Sequence, residues 1–102
     1  MKVIIESPYA GDVKRNTEYA IKCMKDCFER GEFPFASHLL YTQCLDDSIP
    51  NERTLGIDAG LEWGKYAEKT VIYTDLGISK GMEYGIKNAL DNERTIEYRT
   101  IL

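Results

Sequence analysis

Glu83 is the residue whose type and position most directly suggest chemistry. Ser79 is suited to cap a helix, so Glu83, four residues later, falls in the first turns of that helix. The helix dipole favours an ionised carboxylate there, and such a group can attack an anomeric carbon or stabilise an oxocarbenium-like transition state. A capping-box glutamate is the structural alternative, but that motif places Glu where this chain has Met82. The pattern therefore favours a chemical role for Glu83, as a nucleophile or as a stabilising charge, and leaves the capping role open.

A first loop of small residues follows an apolar segment at the amino terminus. It consists of Ser7, Pro8, Tyr9, Ala10 and Gly11. Small residues let backbone N–H groups approach an anionic group near a helix start, and the Tyr9 ring can stack on a ligand. We predict these five residues as ligand contacts, although an ordinary tight turn fits the composition equally well.

Two further loops carry polar residues. Ser37 and His38, which is the chain's one histidine, are predicted ligand contacts, with a satisfied structural histidine as the alternative. Asp75 follows the strongest strand signal and is a candidate catalytic acid. Gly81 and Gly85 flank Glu83, and each costs about 1 kcal/mol of helix propensity relative to alanine. We expect a ligand or a neighbouring strand to approach the backbone there.

The elements that must position these residues alternate between strand and helix. Hydrophobic patterns predict strands over residues 2–6, 33–36, 70–74 and 95–102, and helices over residues 13–30, 50–66 and 80–91, capped by Asp12, Ser48 and Ser79. We predict one domain, residues 1–102, with an α/β fold: a flavodoxin/Rossmann-like three-layer sandwich around a mostly parallel sheet of four or five strands. Ligands of such sheets bind outside the carboxyl ends of the strands.

Two helices carry informative faces. Cys23 and Cys27 lie four residues apart on the apolar face of the first long helix, where cysteine acts as a small hydrophobe. Leu55 and Trp63 repeat along one side of the helix over residues 50–66. In the same helix Gly56 and Gly60 permit a close backbone approach.

Composition excludes several functional classes. The formal net charge is −4 and the basic residues are dispersed, which disfavours binding to nucleic acid polymers. No apolar run reaches bilayer length and none looks like a signal peptide, so we expect a cytoplasmic protein without membrane contact. Three cysteines without CxxC spacing and one histidine disfavour a structural zinc site. We expect no metal and no organic cofactor.

Five segments together carry a family resemblance. They are residues 7–11, 34–40, 61–63, 71–73 and 78–85. These segments resemble the nucleoside 2-deoxyribosyltransferase-like superfamily, and in particular its small phage and bacterial branch of unassigned function. The resemblance implies that Glu83 occupies the nucleophile position and that Ser79, Gly81 and Met82 contact the ligand.

The resemblance has one departure. Enzymes of the superfamily usually carry an aspartate at the place of Gly60, for which Asp58 or Glu62 would have to substitute. We expect Asp58 as a catalytic residue and Glu62 as a ligand contact. The resemblance also implies a homodimer or a higher homo-oligomer.

Three functions remain open. The first is an N-glycosidase or deoxyribosyltransferase in which Glu83 attacks C1′ of a nucleoside or nucleotide while Asp58 or Asp75 assists departure of the base. The second is an inactive binding protein that sequesters or senses a nucleotide-derived signal of the ADP-ribose type. The third is an interaction protein with a vestigial pocket.

Overall fold

Four parallel strands and four α-helices make up the protein in a computed structural model that describes residues 1–102. The strands are β1 (Lys2–Glu6), β2 (Phe33–Phe35), β3 (Lys69–Tyr73) and β4 (Thr95–Arg99). The helices are α1 (Val13–Glu29), α2 (Ser37–Leu40), α3 (Pro50–Gly64) and α4 (Lys80–Asp91), with a 3-10 turn at Tyr41–Gln43. The strand order is β2-β1-β3-β4, and every neighbouring pair is parallel. This arrangement confirms the predicted α/β fold.

The two central strands are buried on both faces. Val3, Ile4 and Ile5 of β1 are buried, as are Val71 and Ile72 of β3. Continuous apolar runs of this kind are typical of parallel strands that helices cover on both sides. The sheet is therefore the middle layer of a three-layer sandwich.

Helix α1 covers one face of the sheet. It begins after Asp12, whose carboxylate accepts a hydrogen bond from the Arg15 backbone N–H, and the chain turns away at Gly31 with a φ of 77°. Cys23 and Cys27 are fully buried against this face, as predicted. Free cysteines in such positions behave as small apolar side chains.

Helices α3 and α4 cover the opposite face. Met82 and Ala89 of α4 are buried, and a Cβ atom at Gly64 of α3 would lie 3.7 Å from the Ile4 side chain. Helix α3 therefore approaches β1 through a glycine. None of the helices combines the length and the apolar composition needed to cross a bilayer.

A buried polar cluster lies beneath the carboxyl-terminal half of α1. Arg99 donates to both carboxylate oxygens of Glu32, at 2.7 and 2.6 Å, and to the Tyr73 hydroxyl at 3.1 Å. Lys69 donates to Glu97 at 2.8 Å and lies 3.5 Å from Glu32. The hydrogen bonds from Arg99 lower the pKa of Glu32 despite its burial. The cluster is thus a paired, hydrogen-bonded group rather than a set of isolated buried charges.

The start of α3 differs from the prediction. Ser48 does not cap this helix, because its backbone N–H and its hydroxyl both donate to the Asp46 carboxylate, at 2.9 and 2.6 Å. Ile49 occupies the cap position without a side-chain hydrogen bond, and Pro50 begins the helix as predicted. Ser48 therefore belongs to a turn with Asp46 that precedes the helix, one residue ahead of the cap position.

Two large apolar residues of helix α3 point outwards. Leu55 and Trp63 are 59% and 60% exposed, whereas Gly60 packs inwards. A Cβ atom at Gly60 would lie 2.7 Å from the Ser37 hydroxyl, so the predicted close approach occurs there. Glycine contacts therefore attach this helix to the domain together with Ile57 and Leu61, which line the inner cavity.

Candidate functional site

The strand order places a crevice between β1 and β3. The chain runs from β1 outwards to β2 and then returns to the other side of β1, so the connections diverge between β1 and β3. Ligands of open α/β sheets bind outside the carboxyl ends of the strands at such a point. The residues that follow β1 and β3 are therefore the first to examine.

A cleft of about 800 Å³ opens beside the first loop. Tyr9, Ala10 and Gly11, which are among the predicted ligand contacts, form one wall. The opposite wall comprises the chain over residues 42–48 and the first turn of α3, including Arg53. The cleft is thus bounded by hydrogen-bond donors on both sides.

Asn16 fixes the shape of the first loop. This buried side chain of α1 donates to the backbone carbonyls of Tyr9 and Ala10, at 2.9 and 3.0 Å. The backbone N–H groups of Ala10, Gly11 and Asp12 donate to no acceptor within the chain. They are available to a ligand next to the amino terminus of α1, where the helix dipole favours negative charge.

Arg53 supplies positive charge at the opposite wall. Its guanidinium group lies 3.5 Å from the Asp47 carboxylate and is about one third exposed. A Cβ atom at Gly81 would lie 3.8 Å from the same guanidinium group, so Arg53 also reaches the first turn of α4. Asp46 and Asp47 lie on the same wall as Arg53, so this wall carries both negative and positive charges.

Ser7 and His38 form a hydrogen-bonded pair behind the cleft. The Ser7 hydroxyl and Nε2 of His38 are 2.7 Å apart. Burial lowers the pKa of His38 to about 4, so the imidazole is neutral at physiological pH. His38 lines a small cavity of about 60 Å³ that it shares with Arg53. Pro8, the next residue of the loop, is buried.

Glu6 occupies a second, inner cavity of about 50 Å³. Its carboxyl group contacts Gly85 of α4 closely enough that a Cβ atom there would overlap it. Burial raises the pKa of Glu6 to about 8, although the nearby charge of Arg94 works to lower it. Glu6 is therefore a neutral acid at neutral pH, held at the carboxyl end of a central strand.

The residues around the predicted nucleophile occupy separate environments. Glu83 is exposed in the first turn of α4 and is absent from the walls of the cleft and of both cavities. Ser79 caps the helix by accepting from the Met82 backbone N–H, and the Met82 sulfur accepts from the Ser79 N–H. Met82 itself is buried. The capping position that a glutamate would occupy is thus filled by Met82, and Glu83 remains free.

The predicted acids lie apart from the cleft. Asp58 and Glu62 are exposed on α3, and Glu62 pairs with Lys65 at 2.7 Å. Asp75 accepts hydrogen bonds from Tyr19 and from the last two backbone N–H groups of the chain. Burial works to raise the pKa of Asp75, but these hydrogen bonds outweigh it and lower the pKa. Within one subunit, none of these acids borders the cleft or the two cavities.

Three residues of the site escaped the sequence reasoning. Asn16 lies on the apolar face of α1, and that misplaced polar side chain was the available signal. Glu6 ends an apolar strand, and the sequence does not distinguish it from an ordinary polar residue at the end of a strand. Arg53 reads as one of many surface charges, since only the folded chain brings it opposite the first loop. No group of three or more His, Cys, Asp or Glu side chains is arranged to hold a metal ion.

Comparison with known proteins gives a family but no activity. No curated protein and no solved structure matches the chain. One family model matches residues 1–99, which is almost the whole chain. The protein therefore belongs to the family described as domain of unknown function DUF7768.

Proposed function

We propose that this domain binds a nucleotide, or a similarly phosphorylated nucleoside derivative, in the cleft between the first loop and the start of α3. The observation that carries the proposal is the pairing of two donor walls. Unused backbone N–H groups at Ala10 and Gly11 line one side, and Arg53 lines the other. Donors of this kind at a helix amino terminus suit a phosphate group.

The acidic residues of the cleft favour a ligand that carries hydroxyl or amino groups in addition to its negative charge. Asp46 and Asp47 lie on the same wall as Arg53. Carboxylates accept hydrogen bonds from sugar hydroxyl groups and from amino groups of bases, whereas they repel a bare polyanion. A molecule with one phosphate and a hydroxylated or amino-bearing remainder satisfies both sets of groups, and Tyr9 offers a ring for stacking.

Binding without turnover is the form of this function that the geometry supports best. Glu83, Asp58 and Asp75 do not border the cleft of the same subunit, and Asp75 already accepts several hydrogen bonds. A nucleophile must lie about 3–3.5 Å from the carbon that it attacks. The domain would then sequester or sense its ligand.

An N-glycosidase or deoxyribosyltransferase is the second candidate. Glu83 is exposed in the same helical turn as Gly81, which contacts Arg53 at the edge of the cleft. A ligand that extends over the amino terminus of α4, or a second subunit, would bring Glu83 to the sugar. In that case Glu83 attacks C1′ and the base departs.

A binding screen coupled to product analysis separates the two. Purified protein would be titrated calorimetrically with ribonucleotides, deoxynucleotides and ADP-ribose, and each mixture would be chromatographed for free base. We expect binding, with the ligand recovered intact. Release of base that is abolished in Glu83→Gln would establish the glycosidase instead.

A matched pair of variants locates the ligand. Arg53→Gln removes the charge at the cleft, whereas Arg30→Gln removes an arginine that pairs with Asp26 at the far end of α1. We expect about a tenfold loss of affinity for Arg53→Gln, since hydrogen bonds to charged groups contribute roughly 1.5–3 kcal/mol. Arg30→Gln should bind normally. Equal affinity in both variants, or no binding of any probe, would contradict the proposal.

A further inference from the structure

Glu6 is an interior acid without a hydrogen-bonding partner in the protein. It is the last residue of β1, and its side chain points away from α1 into the space between the sheet and helices α3 and α4. Its carboxyl group forms no hydrogen bond with the backbone or with another side chain, although it contacts Gly85. The residue is only partly buried, and the cavity that it lines leaves the carboxyl group free to form a hydrogen bond with another molecule.

Glycines create the space in front of this carboxyl group. Gly60 and Gly64 of α3 and Gly85 of α4 all line the cavity of about 50 Å³. A Cβ atom at Gly85 would take the place of the carboxyl group, and one at Gly60 would press on the Ser37 hydroxyl. The cavity therefore depends on three positions that carry no side chain.

The cavity wall contains further polar groups. The Ser37 hydroxyl can donate or accept there. Arg94 also lines the cavity, but its guanidinium group already donates to Thr70 at 2.8 Å and to Asn88 at 2.7 Å. Arg94 is the one charged residue, apart from Glu6, among those that line the cavity. The side chains of Glu6 and Ser37 form no hydrogen bond within the chain, and the side-chain NH2 group of Asn88, which also lines the cavity, donates to no acceptor.

The cavity adjoins the outer cleft through an intermediate space. The small cavity beside His38 shares Ser37 and Ile57 with the Glu6 cavity. It shares four other residues with the outer cleft, including Asp47 and Arg53. The three spaces are thus neighbours beneath the start of α3, with the small cavity beside His38 between the outer cleft and the Glu6 cavity.

We propose that the Glu6 cavity is an inner subsite that accepts one hydroxyl group of the ligand, with Glu6 and Ser37 as its hydrogen-bonding partners. This inference rests on the proposed function and specifies its ligand as a phosphorylated molecule with a hydroxylated sugar. A space of this size has room for a hydroxyl group. A neutral acid both donates and accepts a hydrogen bond, as a hydroxyl group does.

The test compares three nucleotides in three forms of the protein. The probes are adenosine 5′-monophosphate and its 2′-deoxy and 3′-deoxy analogues, and the variants are Glu6→Gln and Glu6→Met. Glutamine keeps a donor and an acceptor at this position, whereas methionine keeps the approximate size without either. Glu18→Met, at an exposed position of α1, is the matched control.

We expect Glu6→Met to bind adenosine 5′-monophosphate about tenfold more weakly, and Glu6→Gln to bind it within a few-fold of the wild type. One deoxy analogue should bind the wild type and Glu6→Met equally, because it lacks the hydroxyl group in question. If every probe binds the wild type and the Glu6 variants with the same affinity, the subsite is overturned while the proposed function stands. Absence of binding by any probe would overturn both.

A pH titration of the wild type supplies a readout that does not depend on the folding of a variant. Adenosine 5′-monophosphate should lose affinity as pH rises above about 8, since ionised Glu6 no longer donates. Glu6→Gln should show no such loss. A wild-type affinity that stays constant through this range would contradict the subsite.

Discussion

The carboxyl group of Glu6 and the α-carbon of Gly85 are in direct contact, so no side chain at position 85 is compatible with the present place of that carboxyl group. The contact joins the central strand β1 to the middle of α4. A glycine inside a helix costs about 1 kcal/mol relative to alanine. Glycine is present at position 85 because the Glu6 carboxyl group occupies the space that a side chain there would need.

Gly85→Ala should therefore destabilise the protein. Its Cβ atom would overlap Glu6, and overpacking of this kind costs roughly 1–3 kcal/mol, which exceeds the gain in helix propensity. Gly81→Ala is the matched control, because its Cβ atom would meet nothing closer than 3.8 Å. Urea unfolding should show a loss for the first variant and a small gain for the second. A gain in both would mean that Glu6 can move aside freely.

The contribution of Glu6 to the stability of the protein should fall as pH rises from about 4.5 to about 8. Burial raises the pKa of Glu6 from 4.5 to about 8, so the folded state keeps a proton that the unfolded state releases. Each pH unit in this window then costs roughly 1.4 kcal/mol of unfolding free energy. The loss begins near the unfolded pKa and is complete above the folded one.

Glu6→Gln isolates this effect. Burial lowers the pKa of His38 from 6.5 to about 4, so its contribution is present above pH 6.5 and is lost as pH falls towards 4. The two groups oppose each other between pH 4.5 and 6.5. The difference between the wild type and Glu6→Gln in chemical denaturation removes the histidine term. A difference that does not change with pH would contradict the raised pKa.

Cys44 should react with a thiol reagent much faster than Cys23 and Cys27. Cys44 is exposed and lines the cleft, whereas the other two are fully buried. Burial also raises the pKa of Cys23 to about 12, which suppresses its reactive thiolate. One fast equivalent is expected in the folded protein and three after unfolding. A bound nucleotide should slow the fast reaction, and unchanged labelling would argue against ligand in the cleft.

Asn16→Ala should destabilise the protein and weaken ligand binding together. The substitution leaves the carbonyl groups of Tyr9 and Ala10 without their donor, at a cost of roughly 1–3 kcal/mol. Glu18→Ala, at an exposed position of the same helix, should change little. Thermal unfolding and nucleotide titration of both variants provide the check. Normal binding by a destabilised Asn16→Ala would show that the loop shape does not matter to the ligand.

The sequence predicted the elements better than it predicted their contacts. The apolar runs at Val3–Ile5 and Val71–Tyr73 mark strands whose local pattern suffices, and Asp12 and Ser79 mark helix starts through hydrogen bonds that span three residues. Such signals are local, so they can be read along the chain. The helix cap assigned to Ser48 was wrong, because Ile49 holds the cap position and Ser48 forms a turn with Asp46.

The site depends on contacts that join distant parts of the chain. Glu6 meets Gly85, and Arg53 meets Gly81, across separations that no periodic pattern encodes. Likewise, Leu55 and Trp63 do mark one side of α3, but that side faces outwards because glycines mediate its packing. The predicted role of Glu83 stays a prediction, to be tested by its substitution.

The buried pairing of Arg99 with Glu32 should make β4 more resistant to local opening than an ordinary edge strand. Edge strands commonly open first, and their amides then exchange with solvent without global unfolding. Here Arg99 anchors the end of β4 to a residue that precedes β2, and α1 lies over the pair. Opening β4 would remove the two hydrogen bonds that Arg99 donates to the buried Glu32 carboxylate. We therefore expect the two edges of the sheet to unfold as one cooperative unit. The β4 amides bonded to β3 should therefore exchange as slowly as those of the central strands.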